Sequence, residues 1–206
     1  MPNKKTYVPT NTTQGSMKEV PLNALTFEEL WNNYPSGDPY DNSTYKDQCA
    51  IRMSVTFHRV GIEMKSFSSK LVHPLWGQPS IGRIILDGEV AATRADELGE
   101  WLRLQPFAGL PAAEVITGSD WESKIKGRTG IIQFSGYWQR DGEKTTADAT
   151  GGHIDLWNGS RLTISGPVDS IATIGRRFGM NSLFPGTSIG FSDLRNSKQI
   201  LFWEIK

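Results

Sequence analysis

Cys49 is the only cysteine in 206 residues, and it stands where a thiol could do chemistry. Downstream of it Ala50, Met53, Phe57 and Val60 fall at i, i+3, i+7 and i+10, the apolar stripe of an amphipathic helix. A turn-rich run, 35–44, precedes this stripe and Gly61 follows it as a stop signal. The spacing therefore predicts a helix that begins close to Asp47, with Cys49 in its first turn. Unpaired backbone N–H groups and the positive end of the helix dipole point at such a position. A thiol placed there loses its proton more readily, and the same N–H groups can receive a developing oxyanion. A second group lies about a hundred residues on. In His153-Ile154-Asp155 an imidazole and a carboxylate stand two residues apart on a strand and project from one face. The imidazole could take the thiol's proton, and the carboxylate could orient the imidazole. A lone cysteine is most often a small buried hydrophobe, and a His-x-Asp pair can be an ordinary surface feature. Together each supplies what the other lacks.

The surrounding chain narrows the class. With 22 basic and 22 acidic side chains the formal charge is zero, which argues against nucleic acid, since phosphate neutralisation needs a basic excess. One cysteine excludes an internal disulfide framework and a cysteine-cluster zinc site. The three histidines, His58, His73 and His153, are too scattered to suggest a metal, and no cofactor motif is present. No apolar run is long enough to cross a bilayer, so no membrane insertion is expected. Residues 1–15 are polar and lack the apolar segment of a signal peptide, so any work outside the cytoplasm would need another export route.

Several elements must carry the two groups into reach. Residues 1–20 show no periodicity and read as a flexible arm, leaving 21–206 as one domain. Thr26 and Glu29 fit a capping box, followed by the short apolar face Phe27, Leu30 and Trp31. After the Cys49 helix, 65–82 is loop, with Leu71, Val72, Leu75 and Trp76 as packing candidates. Ile81, Ile84, Ile85 and Leu86 form either a short strand or part of the core lining. Thr93 to Asp96 opens a helix whose face is Leu98, Trp101 and Leu102, ending before Pro106. A buried strand is predicted at 130–134, and 139–150 is a polar loop. The His153 strand then meets Asn158-Gly159, a strong hairpin signal, with the return at 161–165. Gly151 and Gly152 would let the Cys49 helix start approach closely. Residues 169–178 are weakly helical, 179–192 read as loop and 199–205 as a final strand. Helices first and antiparallel strands second make an α+β layout, with the nucleophile at a helix N-terminus packed on an antiparallel sheet.

At these residues the chain resembles a known family. Cys-Ala-Ile-Arg-Met-Ser at 49–54 and Gly-His-Ile-Asp-Leu-Trp-Asn-Gly at 152–159 are similar to the two signature blocks of the fourth family of type VI secretion amidase effectors. The Leu-Trp-x-x-Tyr-Pro block at 30–35 and the closing Leu-Phe-Trp-Glu-Ile at 201–205 match as well. The resemblance covers most of 25–206. It implies a papain-like fold of the NlpC type, in which the cysteine also precedes the histidine in the chain. It implies cleavage of the amide between γ-linked D-glutamate and meso-diaminopimelate in the peptidoglycan stem peptide. It implies delivery by type VI machinery into a rival's periplasm, and a cognate immunity protein. The lack of a signal peptide agrees with that route.

Carried over by position, Cys49 matches the nucleophile and His153 the general base. The family places an aspartate on the strand after the hairpin, but here that strand reads Arg161-Leu162-Thr163-Ile164-Ser165. A two-residue loop would pair His153 with Ile164, and a three-residue loop with Ser165. The orienting group is therefore expected to be Asp155, with Thr163 and Ser165 as alternatives. Arg52 is expected to bind a carboxylate of the fold or of substrate. Trp138, Trp157 and Trp203 are expected in the core. Two other readings stay open: a binding module of the same fold that does not cut, and an amidase acting on another peptide.

Overall fold

The computed structural model describes residues 25–41, 44–45, 47–137, 149–163 and 194–206 in full, and the backbone of Lys5–Pro9, Met17–Pro21 and Trp138. Its element order is β1 (Lys5–Pro9), β2 (Met17–Pro21), α1 (Phe27–Asn33), α2 (Cys49–Arg59), β3 (Arg83–Leu86), β4 (Glu89–Ala92), α3 (Ala95–Arg103), β5 (Glu114–Val115), α4 (Trp121–Ile125), β6 (Gly130–Trp138), β7 (Gly151–Trp157) and β8 (Gln199–Glu204). The centre is a four-stranded antiparallel sheet in the order β5-β8-β6-β7, which leaves β7 as an edge strand. The mixed α+β layout is the one the sequence predicts. The 169–178 helix and the 179–192 loop fall outside the described residues, as does 139–148 of the polar loop.

Strand alternation splits the sheet's side chains between two cores. Ile131, Ile154, Leu156, Leu201 and Trp203 face the layer built from α1, α2 and α3. Ile132, Phe134, Trp157, Ile200 and Phe202 face Trp121 and Ile125 of α4. Both sheet faces are therefore covered, which is why 199–205 reads as an apolar run rather than an alternating one. Each fully buried Leu or Ile contributes about 1.5–3 kcal/mol relative to an exposed one. Trp157 and Trp203 are core residues, as expected; the Trp138 side chain is outside the described set.

The helices form where their local signals stand. Thr26 caps α1 in a reciprocal box: its hydroxyl oxygen accepts from Glu29 N (3.3 Å), and its own N–H donates to the Glu29 carboxylate (2.8 Å). On α2 the stripe Ala50, Met53 and Phe57 is buried, but Ile51, Ser54 and Thr56 are buried too. The covered face is wider than the stripe because α2 meets α1, α3, β4 and β7. Ser54 makes that possible on its polar side. Its hydroxyl donates to Ala50 O (2.8 Å) and accepts from Ala92 N (3.0 Å), tying β4 to the helix.

Of the two readings of Ile81, Ile84, Ile85 and Leu86, the strand holds for Ile84 to Leu86, which form the first arm of a hairpin spanning 83–92. Asp87 and Gly88, both at positive φ (52° and 85°), make its two-residue turn. Of the loop candidates only Val72 is buried, whereas Trp76 is 94% exposed. The loop is held by a charge instead. Glu97, 1% exposed, accepts from Leu75 N (2.9 Å), Gly82 N and the Arg94 guanidinium (2.9 Å). Replacing it strands two amides and a cation. Glu97→Ala is expected to lower unfolding free energy by about 2–4 kcal/mol in urea titration, and Glu97→Gln by less. A loss below about 1 kcal/mol would show that other contacts anchor the 71–82 loop.

Candidate active site

The start of α2 is set by two side chains one helical turn apart. Gln48, buried, folds its amide onto the preceding loop: its oxygen accepts from Tyr40 N (3.0 Å), and its nitrogen donates to Tyr40 O (2.6 Å) and Tyr45 O (3.1 Å). Arg52 reaches the same loop through Gly37 O (2.9 Å) and the Asp38 carboxylate (2.7 Å). Residues four apart share a helix face, so Gln48 and Arg52 clamp the loop while Cys49 turns away from it. Gln48, the N-cap residue of α2, makes no side-chain cap hydrogen bond. Cys49 is the first helical residue, 8% exposed.

The structure brings Cys49, His153 and Asp155 together. Cys49 stands beside the His153 ring, close enough to act on the ring's protonation. His153 pairs in register with Phe134 on β6, and the two rings stack with centroids 6.5 Å apart. Nε2 of His153 lies 3.3 Å from Asp155 Oδ2, which leaves Nδ1 for the sulfur. The two side chains lean toward each other along the strand and so span the Cα separation of about 6–7 Å expected for i, i+2 neighbours. Oδ1 of Asp155 accepts from Leu156 N (2.7 Å) and from the Thr163 hydroxyl. Tyr34 lies near this group, with Asp155, Arg52 and Cys49 close enough to act on it by charge.

The electrostatics follow from this crowding. Burial alone would push the His153 ring toward its neutral form. The hydrogen bonds and charges of Asp155 and Cys49 outweigh burial, and the ring's pKa is raised to about 10. Tyr34 is held well above the usual tyrosine range, chiefly by burial of its hydroxyl and then by the Asp155 charge.

Two details differ from expectation. Gly152 is approached by Asp96 of α3, not by the start of α2; a Cβ there would stand 2.9 Å from an Asp96 oxygen. The connection after β7 is a four-residue loop, 158–161, not a two-residue turn, and Trp157 bridges to Leu162. Asn158 explains it: its side-chain oxygen accepts from Ser160 N (3.1 Å) and Arg161 N (2.9 Å), closing a wider turn over Gly159. That register delivers Thr163 to Asp155. Ile164 and Ser165 lie outside the described residues, as does the acidic loop at 141–148. Arg52 binds Asp38, a carboxylate of the fold. His58 contacts Val90 O and His73 contacts Glu100, both away from Cys49. Among the described residues no cluster of metal-ligating side chains occurs, and no helix is long and apolar enough to cross a membrane. Sequence reasoning missed Gln48 and Tyr34. A buried glutamine just before a helix leaves no periodic signal, but Tyr34 sat in plain view in the Leu-Trp-x-x-Tyr-Pro block.

A pH effect follows with a definite sign. The His153 ring holds its proton up to about 10 in the folded protein but only to about 6.5 when unfolded. The stability it contributes is complete below about 6.5, declines as pH rises, and is gone above about 10. Urea unfolding between pH 6 and 10 should show wild type losing more stability across that window than Asp155→Asn. Parallel losses would mean that the carboxylate does not hold the ring's proton.

Comparison with known proteins places this geometry. The family described as type VI secretion system (T6SS), amidase effector protein 4 (Tae4), matches residues 45–203. No curated protein matches the chain. Among solved structures, Tae4 of Salmonella typhimurium in complex with the immunity protein Tai4 of Enterobacter cloacae matches at 15% identity. It covers 87% of this chain and 98% of that one, with a TM-score of 0.50. Tae4 of Enterobacter cloacae matches at 16% identity over 88% and 96% of the two chains, with a TM-score of 0.50. A Tae4/Tai4 structure from Salmonella typhimurium matches at 14% identity over 89% and 100%, with a TM-score of 0.51. The likeness in fold and the family match over 45–203 agree, and the chain belongs to the type VI secretion amidase effector family 4.

Proposed function

We propose that the chain is a cysteine amidase that cleaves the γ-D-glutamyl–meso-diaminopimelate amide of the peptidoglycan stem peptide. One observation carries this reading: in a member of an amidase effector family, the only cysteine stands beside a histidine whose ring contacts a buried carboxylate at 3.3 Å. The reactive form of the site pairs a protonated His153 ring with a Cys49 thiolate. The thiolate attacks the scissile carbonyl carbon, and the C–O π electrons move onto oxygen. The Cys49 backbone N–H, at the open start of α2, stabilises that oxyanion. Collapse breaks the C–N bond, and His153 gives its proton to the departing diaminopimelate amine. A thioester remains. His153, now neutral, takes a proton from water, whose oxygen displaces the sulfur and frees the carboxylate. Asp155 holds the ring with Nε2 toward itself and Nδ1 toward sulfur, and stabilises the imidazolium.

The same reading makes the fold a papain-like shell of the NlpC type spanning 21–206, with 1–20 as an arm outside it. It needs no cofactor. It places the protein as cargo of a type VI apparatus that acts in the target cell's periplasm. The solved relatives in complex with Tai4 support a cognate immunity protein as its partner.

Purified sacculi incubated with wild type, Cys49→Ala and His153→Ala, with muropeptides identified by mass spectrometry, test it. Wild type should release fragments ending in D-glutamate and new diaminopimelate amines. Each variant should be slower by at least about a thousandfold. Equal release by wild type and Cys49→Ala would remove the nucleophile. Binding to sacculi without release would make the chain a recognition module, and cleavage at a different amide would correct the substrate.

A further inference from the structure

A cavity of about 230 Å³ borders β7 just upstream of His153. Among the described residues, Leu75, Trp76, Asp96, Ser135, Thr150 and Lys198 line it. It brings an acid and a base together, and each lies over a glycine. A Cβ on Gly152 would stand 2.9 Å from an Asp96 oxygen, and a Cβ on Gly136 would stand 2.7 Å from Lys198 Cδ. A side chain at either glycine would displace a charge. The Asp96 carboxylate is oriented by the sheet beneath it. Its Oδ1 accepts from Gln133 Nε2 (2.8 Å) and from the Ser135 hydroxyl (2.6 Å), and Gln133 is 3% exposed. The Lys198 ammonium donates to Ala149 O (2.7 Å). Trp76 adds an indole that is 94% exposed, although its loop is tied down next door, where Leu75 N donates to Glu97.

Position and charge together define what the cavity fits. Asp96 touches the residue next to His153, so its carboxylate lies within about 8 Å of the His153 Cα. Strand alternation turns Gly152 toward the helix layer and His153 away from it. The sulfur, however, is on the helix side: Cys49 packs in the same core as Ala95, the neighbour of Asp96. An amide presented to Cys49 therefore has Asp96 on its own side of the sheet. A carboxylate attracts an ammonium and an ammonium attracts a carboxylate. The indole face covers methylenes and favours a nearby cation. An acid, a base and an indole around one small cavity match a zwitterion carried on a short apolar chain. Diaminopimelate ends in that group, an α-amino-acid head on a methylene chain. Its side chain is about as long as two extended residues, roughly 7 Å, and spans the gap. We propose that this cavity binds the distal amino-acid head of the diaminopimelate residue, with Asp96 taking its ammonium and Lys198 its carboxylate. The inference rests on the amidase reading of the Cys49 site. It adds the basis for choosing diaminopimelate over lysine, whose side chain has the ammonium but no carboxylate.

The test uses two soluble tripeptides, L-Ala-γ-D-Glu-meso-diaminopimelate and L-Ala-γ-D-Glu-L-Lys, with the full-length chain. Hydrolysis is measured for wild type, Lys198→Met and Asp96→Asn. Binding of both peptides is measured by calorimetry in the same three backgrounds carrying Cys49→Ala. Wild type should favour the diaminopimelate peptide by at least about tenfold in kcat/KM. Lys198→Met should cut that preference about tenfold, chiefly through KM. Asp96→Asn should weaken both peptides about tenfold and keep the preference, because both carry the distal ammonium. A preference that survives Lys198→Met would overturn the proposal, and so would an Asp96→Asn protein that handles both peptides like wild type. Asp96 also accepts from Gln133 and Ser135, so its variant is first checked by thermal unfolding. If it does not fold, Lys198→Met decides alone, since Lys198 is exposed. Calorimetry separates this proposal from the reading beneath it. Lys198-dependent binding of the diaminopimelate peptide, with no cleavage by wild type, would refute the amidase reading and leave the cavity's role standing. Cleavage of that peptide with no dependence on Lys198 or Asp96 would do the reverse.

Discussion

A carboxylate withdrawn from water must find donors for its oxygens or be neutralised. Asp155 is such a group, and most of the site's geometry follows from how it is satisfied. Its own strand supplies Leu156 N, the returning strand supplies the Thr163 hydroxyl, and the remaining oxygen is left to the His153 ring. That last contact decides which imidazole nitrogen is free to meet the sulfur. The wide Asn158 turn belongs to the same requirement. It returns the chain with Trp157 bridged to Leu162, and from there the Thr163 hydroxyl reaches Asp155.

The sulfur has to arrive independently, and it does so by packing. α2 buries a broad face against α1, α3, β4 and β7, with the Phe57, Trp101 and Phe107 rings in tilted contact at 5.5–6.2 Å. An apolar interface of that kind fixes the helix laterally but has little hold on its rotation near the end. Gln48 and Arg52 supply the missing constraint, since directional hydrogen bonds to Tyr40, Tyr45, Gly37 and Asp38 resist rotation where dispersion contacts do not. Cys49 is thus placed by an apolar flank and a polar clamp, while the His153 ring is held by the buried Asp155 carboxylate.

Local signals explain what could be read in advance. Thr26 and Glu29 satisfy each other within four residues, so the α1 cap is visible without the fold. The Cys49 helix declares itself by spacing, and His153 and Asp155 share a face because strands alternate. Other features needed the tertiary structure. Asn158-Gly159 is a hairpin signal in any context, yet the Asn158 side chain here closes a longer loop. Gly152 shows that something comes close but not which element, and Asp96 of α3 fills that space. Asp87-Gly88 carried the same turn chemistry as Asn158-Gly159. It went unread because the flanking 83–92 segment is short and half exposed. Tyr34 could be noticed as part of a block, but its place near Asp155 comes from the fold.

Relatives at 14–16% identity share this fold over nearly the whole chain. Such divergence is easy to accommodate in the two cores. An apolar position accepts another apolar side chain of similar volume at modest cost, usually under about 1.5 kcal/mol. The polar link from Thr163 through Asp155 to His153 has no such latitude. Each member is defined by the proton that it gives or receives. Deleting one strands a buried neighbour at roughly 1–3 kcal/mol, more where the neighbour is charged. Physical tolerance in this molecule therefore divides sharply. The layers of Ile, Leu, Phe and Trp can drift as long as volume and alternation are kept, whereas the polar thread beneath the edge strand must change together or not at all.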